Sequence, residues 1–140
     1  MAELPLGYEL NQQIDATAAH AYLARSYWSP GIPFATVARA IAGSLCVAVR
    51  HGGEQVGFAR VVTDRATFAY LADVYVLEEH RGLGLAQAMV DWLQDHPELQ
   101  DLRRWLLMTV DAHPLYSKLG WRPLAHPERA MERLFPEVYA

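Results

Sequence analysis

Apolar residues recur along this chain with two periods, and the switches between them predict its elements. Tyr8 to Ile14 reads as a first strand. Asp15 is placed to cap a helix over Ala16 to Arg25. Ser29-Pro30-Gly31 breaks the chain, and Phe34 to Ala42 restarts as a helix. Ser44 to Arg50 and Gln55 to Val62 follow as strands, joined by the hairpin chemistry of His51-Gly52-Gly53-Glu54. Asp64-Arg65 makes a second turn, and Thr67 to Val76 is a third strand, giving an antiparallel meander. Leu85, Ala88, Met89, Trp92 and Leu93 then form a helical stripe that His96-Pro97 ends. Trp105 to Val110 is a buried-type strand, parallel to its predecessor because a helix connects them. Asp111 is placed to cap a short helix through Leu119, which Gly120 closes. Trp121 to Leu124 and Ala130 to Phe135 are read as two last strands. The order β-α-α-β-β-β-α-β-α-β-β implies an α/β (α+β) fold, with a mixed, mostly antiparallel central sheet and helices on both faces.

Composition narrows the class. The 140 residues suit one domain spanning 1–140. Hydrophobic residues are 52% and charged residues 20% of the chain, a globular balance. A formal net charge of −4 argues against nucleic acid as a partner. No apolar run reaches the roughly 18 residues of a membrane span, so no membrane partner is expected. The N-terminus shows no secretory pattern, and Cys46, the single cysteine, precludes an internal disulfide. A cytoplasmic protein is expected. The six His residues do not take a metal-binding spacing, so no metal is expected.

The chemistry concentrates where the meander meets the amphipathic helix. Asp73-Val-Tyr-Val-Leu-Glu-Glu-His-Arg-Gly-Leu-Gly-Leu-Ala86 runs from a β-branched strand end into a glycine loop and a helix start. Such a junction presents free backbone N–H groups at the positive end of a helix, a seat for phosphate or pyrophosphate. A dinucleotide fingerprint fails because Gln87 stands where a third Gly or Ala is needed. A P-loop fails because no Lys follows. A simple tight turn would explain Gly82 and Gly84, but not Arg81 or the missing Ser, Thr or Asp cap.

What remains, Arg81-x-x-Gly84-x-Ala86 after Val74-Tyr75-Val76, resembles the coenzyme A motif of the GNAT acyltransferases. The amphipathic helix, the strand over Leu106 to Val110 and Leu115-Tyr116-x-x-x-Gly120-Trp121 follow in the order of that superfamily. The likeness is clear over about Val56 to Leu124. It implies acetyl-CoA as cosubstrate. The pyrophosphate would sit on the amides of Gly82, Leu83, Gly84, Leu85, Ala86 and Gln87, and the pantetheine along Val74, Tyr75 and Val76 in the manner of an added strand. Relatives often carry Asn seven residues before the Tyr; here Thr109 stands there, and Thr109 or Asp111 is the candidate contact. Many relatives also have Pro where Glu78 stands.

The resemblance makes Tyr116 the candidate general acid, a phenol able to protonate a departing thiolate. Asp73, just before the expected notch, is the candidate base or ammonium partner, with a solvated or capped strand Asp as the alternative. His113, one turn from Tyr116, is the runner-up, and Glu79 is expected to face solvent. Tyr27, Trp28, Pro33 and Phe34, with Tyr70 across the sheet, are candidates for the acceptor pocket; core packing of the same aromatics is the bland alternative. Cys46 reads as a small core residue. The implied activity is N-acetyl transfer to a primary amine of a small molecule or peptide, by direct transfer in a ternary complex. The competing reading is a non-catalytic acyl-CoA sensor or interaction module. The expected last strands would leave an exposed sheet edge, which suggests a homodimer.

Overall fold

A computed structural model describes residues 3–140. Five strands, β1 (Tyr8–Asn11), β2 (Leu45–His51), β3 (Glu54–Thr63), β4 (Phe68–Val76) and β5 (Arg104–Leu107), form one sheet in that order. Neighbours are antiparallel through β4, and β5 joins β4 in parallel. The β2–β3 hairpin turns on Gly52 and Gly53, both at positive φ (58° and 85°). That pair of left-handed residues is what a tight hairpin with the natural strand twist requires.

Helices α1 (Ala16–Leu23) and α2 (Phe34–Ala42) cover one face, where Ala19, Leu23 and Val37 pack on Cys46, Phe58 and Tyr75. Asp15 caps α1 as its sequence position predicts, accepting from the Ala18 N–H at 3.1 Å. Helices α3 (Leu85–Gln94) and α4 (His113–Lys118) cover the other face. Leu85, Met89, Val90, Leu93 and Tyr116 meet Val47, Val49, Val56 and Val61 there. The stripe expected on α3 is the face that docks, with Trp92 at its partly buried margin.

β4 is the strand that shapes the molecule. Its pairing with β3 slips by one residue, since Arg60 faces Ala72 while Phe58 faces Tyr75. The extra residue belongs to β4, and Asp73 takes a left-handed φ of 55°. A bulge of this kind twists the strand and changes which residues face each side. Before it, Ala69 and Leu71 join the α3 face; after it, Val74 and Val76 do. Pairing with β5 stops at Leu71–Leu107, so beyond that point the two parallel strands part.

Several expectations differ from what forms. β1 ends at Asn11 rather than Ile14, α1 at Leu23 rather than Arg25, and α4 at Lys118 rather than Leu119. The parallel strand ends early: β5 is Arg104–Leu107, not Trp105 to Val110, and Met108 and Val110 are 70% and 75% exposed. The β4 bulge carries its partner away, so those residues have no strand to bond. The two last strands do not form, and residues 122–138 run exposed with a single 3-10 turn at Pro127–Arg129. Pro123, Pro127 and Pro136 each remove a backbone donor from that stretch, which is poor material for a ladder. Finally, Asp111 does not cap α4. The Ala112 N–H bonds instead to Thr109 Oγ1 at 3.1 Å. Among the described residues no helix is long and apolar enough to cross a membrane, and no three His, Cys, Asp or Glu side chains gather as metal ligands would.

Candidate active site

Where β4 and β5 part, a cleft of about 990 Å³ opens through the sheet. Its floor is the free edge of β4 from Asp73 to Val76. One end is closed by the loop before α3, the other by α4 and by the connection between α1 and α2.

The loop end has the geometry of an anion seat. Gly82 and Gly84 both hold positive φ (80° and 78°). A Cβ on either would meet nothing within 4 Å, so the space in front of the loop is open. No side chain caps α3, whose first backbone bond is from the Ala88 N–H to the Gly84 carbonyl. The preceding amides therefore point outward at the positive end of the helix. Gly82, Gly84, Leu85, Ala86 and Gln87 line the cleft; Leu83 does not, and is 42% exposed. The donor set fits a pyrophosphate. Arg81 does something different. Its Nε donates to the Val76 carbonyl at 2.9 Å and its Nη2 to the Tyr22 hydroxyl at 3.0 Å. It ties the loop to the strand end and to α1.

At the other end Tyr116 is buried, on the α3 face of the opening, with its ring edge-on to Trp121. Burial, with the nearby Tyr27 hydroxyl adding to it, pushes its phenol up to about 12. The group thus stays protonated near neutrality. α4 is held against α3 by Gln94, which accepts from Trp121 Nε1 at 2.7 Å and donates to the Leu119 carbonyl at 3.3 Å. Thr109 and Asp111 both line the cleft; Thr109 uses its oxygen to start α4. His113 lies outside the lining.

Asp73 stands in the cleft at the point of parting. Both carboxylate oxygens are engaged: Oδ1 accepts from Trp28 Nε1 at 2.8 Å and Oδ2 from Arg60 Nε at 2.9 Å. Arg60 continues to Ser44 Oγ at 3.1 Å. The bulge, the α1–α2 connection and β3 are therefore pinned at one carboxylate. Tyr27, Trp28 and Tyr70 line the cleft beside it. Burial, then the Asp73 carboxylate, raises the Tyr70 phenol. Phe34 lies outside, half exposed and edge-on to His20, and Pro33 also stays away from the lining.

Several lining residues are not among those the sequence singles out, notably Tyr22, Arg25, Arg60 and Tyr139. Arg60 carried a signal, a charged residue midway through the apolar run Phe58-Ala-Arg-Val-Val62. Tyr22 stacks flat on Tyr75 (centroids 4.1 Å, 6° between planes), and Arg25 lies over its other face. Tyr139 returns to the cleft from the far end of the sequence and offers no local signal.

Comparison with known proteins identifies the family and the fold. The family model for an acetyltransferase (GNAT) domain matches residues 42–123. A solved GNAT-family protein of Xanthomonas campestris pv. campestris is 44% identical, covers 99% of both chains and superposes with a TM-score of 0.93. A curated relative from Gibberella zeae, named as a "putative acetyltransferase", is 45% identical over 69 residues, 46% of this chain. This chain spans 37% of the length of that relative. A Clostridium acetobutylicum protein solved with acetyl-CoA shares the fold at 16% identity, with a TM-score of 0.67 over 93% of this chain and 96% of its own. The chain belongs to the GNAT acetyltransferases and is an acyltransferase enzyme.

Proposed function

We propose that the protein moves an acetyl group from acetyl-CoA to a primary amine of a small molecule or peptide, directly within a ternary complex. The observation that carries this is the parting of β4 from β5 at the Asp73 bulge, with an uncapped helix end at one side and a buried phenol at the other. Acetyl-CoA, when bound, supplies the thioester. The amides from Gly82 to Gln87 bind its pyrophosphate, and the free edge of Val74 to Val76 orients the pantetheine. Thr109 supports the same wall. The amine forms the new C–N bond as the C–S bond breaks. Tyr116 places its hydroxyl proton at the departing sulfur, and the proton shed by the attacking neutral amine passes through water in the cleft back to the Tyr116 phenolate, restoring the phenol. Asp73, doubly bonded already, enters as a positioning residue that fixes Trp28 and the acceptor wall. Arg81 has the same standing for the loop.

The test is release of free thiol from acetyl-CoA across a panel of amines, amino acids, polyamines and peptides. Amine-dependent release is expected. Tight CoA binding with no release for any acceptor would instead identify an acyl-CoA-binding module. The proposal takes residues 1–140 as one unit, because one sheet carries all four helices. It also includes self-association of two copies, supported by the open edge of β5 and the apolar segment beyond it.

A further inference from the structure

We infer that the acceptor is a primary amine that also bears an anionic group, and that Arg25 reads that group. The inference rests on the acetyltransfer reading and narrows its acceptor. Charge on the α1–α2 side of the cleft decides it. Of the ionic side chains lining the cleft, Arg25 follows α1, and Arg60 and Asp73 are tied to the α1–α2 connection through Trp28, while Arg81 comes from the loop before α3 and Asp111 from the segment before α4. Arg60 and Asp73 neutralise each other at 2.9 Å, and each has a second partner, Ser44 and Trp28. Arg25 is different. Its guanidinium lies 4.6 Å above the Tyr22 ring, and no carboxylate pairs with it among the described residues.

The support beneath Arg25 is stiff. Tyr22 stacks on Tyr75, a buried residue of β4, and its hydroxyl accepts from Arg81. A guanidinium spread on an aromatic face keeps its N–H groups pointing outward in the plane, the geometry that receives carboxylate or phosphate oxygens in pairs. The one acidic group on this side is spent, so an amine with further positive charge meets net repulsion. Asp111, from the segment before α4, also lines the cleft, and among the described residues it makes no ion pair with Arg25. Tyr27 and Trp28 line it too, edge-on to each other with centroids 5.1 Å apart, an aromatic lining that tolerates an aliphatic spacer. A polyamine or a lysine-rich peptide fits this half poorly; an amino acid or an aminoalkyl phosphate fits it well.

Four amines of similar length distinguish these cases: β-alanine, O-phosphoethanolamine, propylamine and putrescine, each assayed by thiol release at saturating acetyl-CoA. The two anionic amines should exceed propylamine about tenfold or more in kcat/KM, and putrescine should be poorest. Their ratio tells carboxylate from phosphate. Arg25→Gln should erase most of that preference by raising the amine KM, Arg25→Lys should keep part of it, and the KM for acetyl-CoA should shift less than about twofold. A preference for putrescine, or an anion preference that survives Arg25→Gln, would overturn the inference while leaving acetyltransfer intact. A rise in the KM for acetyl-CoA alone would place Arg25 on the donor's phosphates and also overturn it. Absence of turnover with all four amines and with the wider panel would sink the acetyltransfer reading itself.

Discussion

Tyr116 is a phenol that cannot easily ionise, and that single property yields two measurements. Its hydroxyl is pushed up to about 12 by burial, so it remains a proton donor at every pH where the enzyme would work. Tyr116→Phe is expected to lower kcat by about 10²-fold or more while the KM for acetyl-CoA changes little, as steady-state kinetics would read. The profile of kcat against pH should show no limb from this group below pH 10. Tyr75 is likewise pushed up to about 12, chiefly by burial. Both phenols start from 10 in the unfolded chain, so between pH 10 and 12 the unfolded state has shed protons that the folded state retains. Stability is full below pH 10 and falls as pH rises through that window. Urea melts should show the midpoint dropping there, and Tyr116→Phe should blunt the drop. Cys46 follows the same logic: burial raises its thiol to about 11, against the opposing pull of Arg60, which marks it as an inert core group. Asp73 carries its importance through geometry. Asp73→Asn keeps a side chain that tolerates left-handed φ but leaves Arg60 without its counter-charge. A loss of about 1–3 kcal/mol in denaturant unfolding is expected, together with a raised amine KM. If Asp73 were instead the base, kcat would collapse and the acidic limb of the pH profile would vanish with the amine KM unmoved.

At the scale of elements, β3 and α3 depend on one small residue. A Cβ on Gly57 would meet Val49 Cγ1 at 2.5 Å, the Tyr75 carbonyl at 3.1 Å and Met89 Cε at 3.2 Å. Two of those neighbours are a β-branched core side chain and backbone, neither able to swing away. Gly57→Ala should therefore cost about 1–3 kcal/mol by overpacking, seen as a lower midpoint with an unchanged m-value. Gly84→Ala meets no neighbour but must hold φ near +78°, so its smaller stability loss should come with weaker CoA binding by calorimetry. The contrast separates the two glycines: one admits a helix, the other a ligand. Elements with a strong periodic stripe were legible in the sequence. α2 (Phe34–Ala42) has the bounds expected, and α3 buries the stripe expected of it. The bulge at Asp73 was not legible, because alternation looks regular until the register against β3 is known. The final strands were misread because short apolar runs resemble strands when the intervening prolines are not weighed.

The whole molecule is organised around an opening made by one sheet against itself. The proposed donor side falls in one stretch of sequence, between Val74 and Gln87, and so its motif could be read directly. The acceptor side is assembled from residues 22–32, Arg60, Tyr70, Asp73 and Tyr139, which meet only after the sheet forms. That difference in sequence separation explains why the glycine loop carries a local motif while Arg25, Arg60 and Tyr139 carry none. The same architecture leaves β5 as a four-residue edge with no strand outside it. Beyond it the chain exposes Leu124, Met131, Leu134, Phe135 and Val138, at 43%, 96%, 68%, 61% and 68%. An unpaired edge and exposed apolar side chains are surfaces that a second copy can cover, since a two-fold axis pairs like with like. Light scattering on the intact chain should give twice the 15.7 kDa chain mass. Leu134→Lys with Phe135→Lys should return it to the single-chain mass, while CoA binding, whose residues lie elsewhere, persists. A single-chain mass for the unaltered protein across micromolar concentrations would refute the pairing and leave the cleft chemistry untouched.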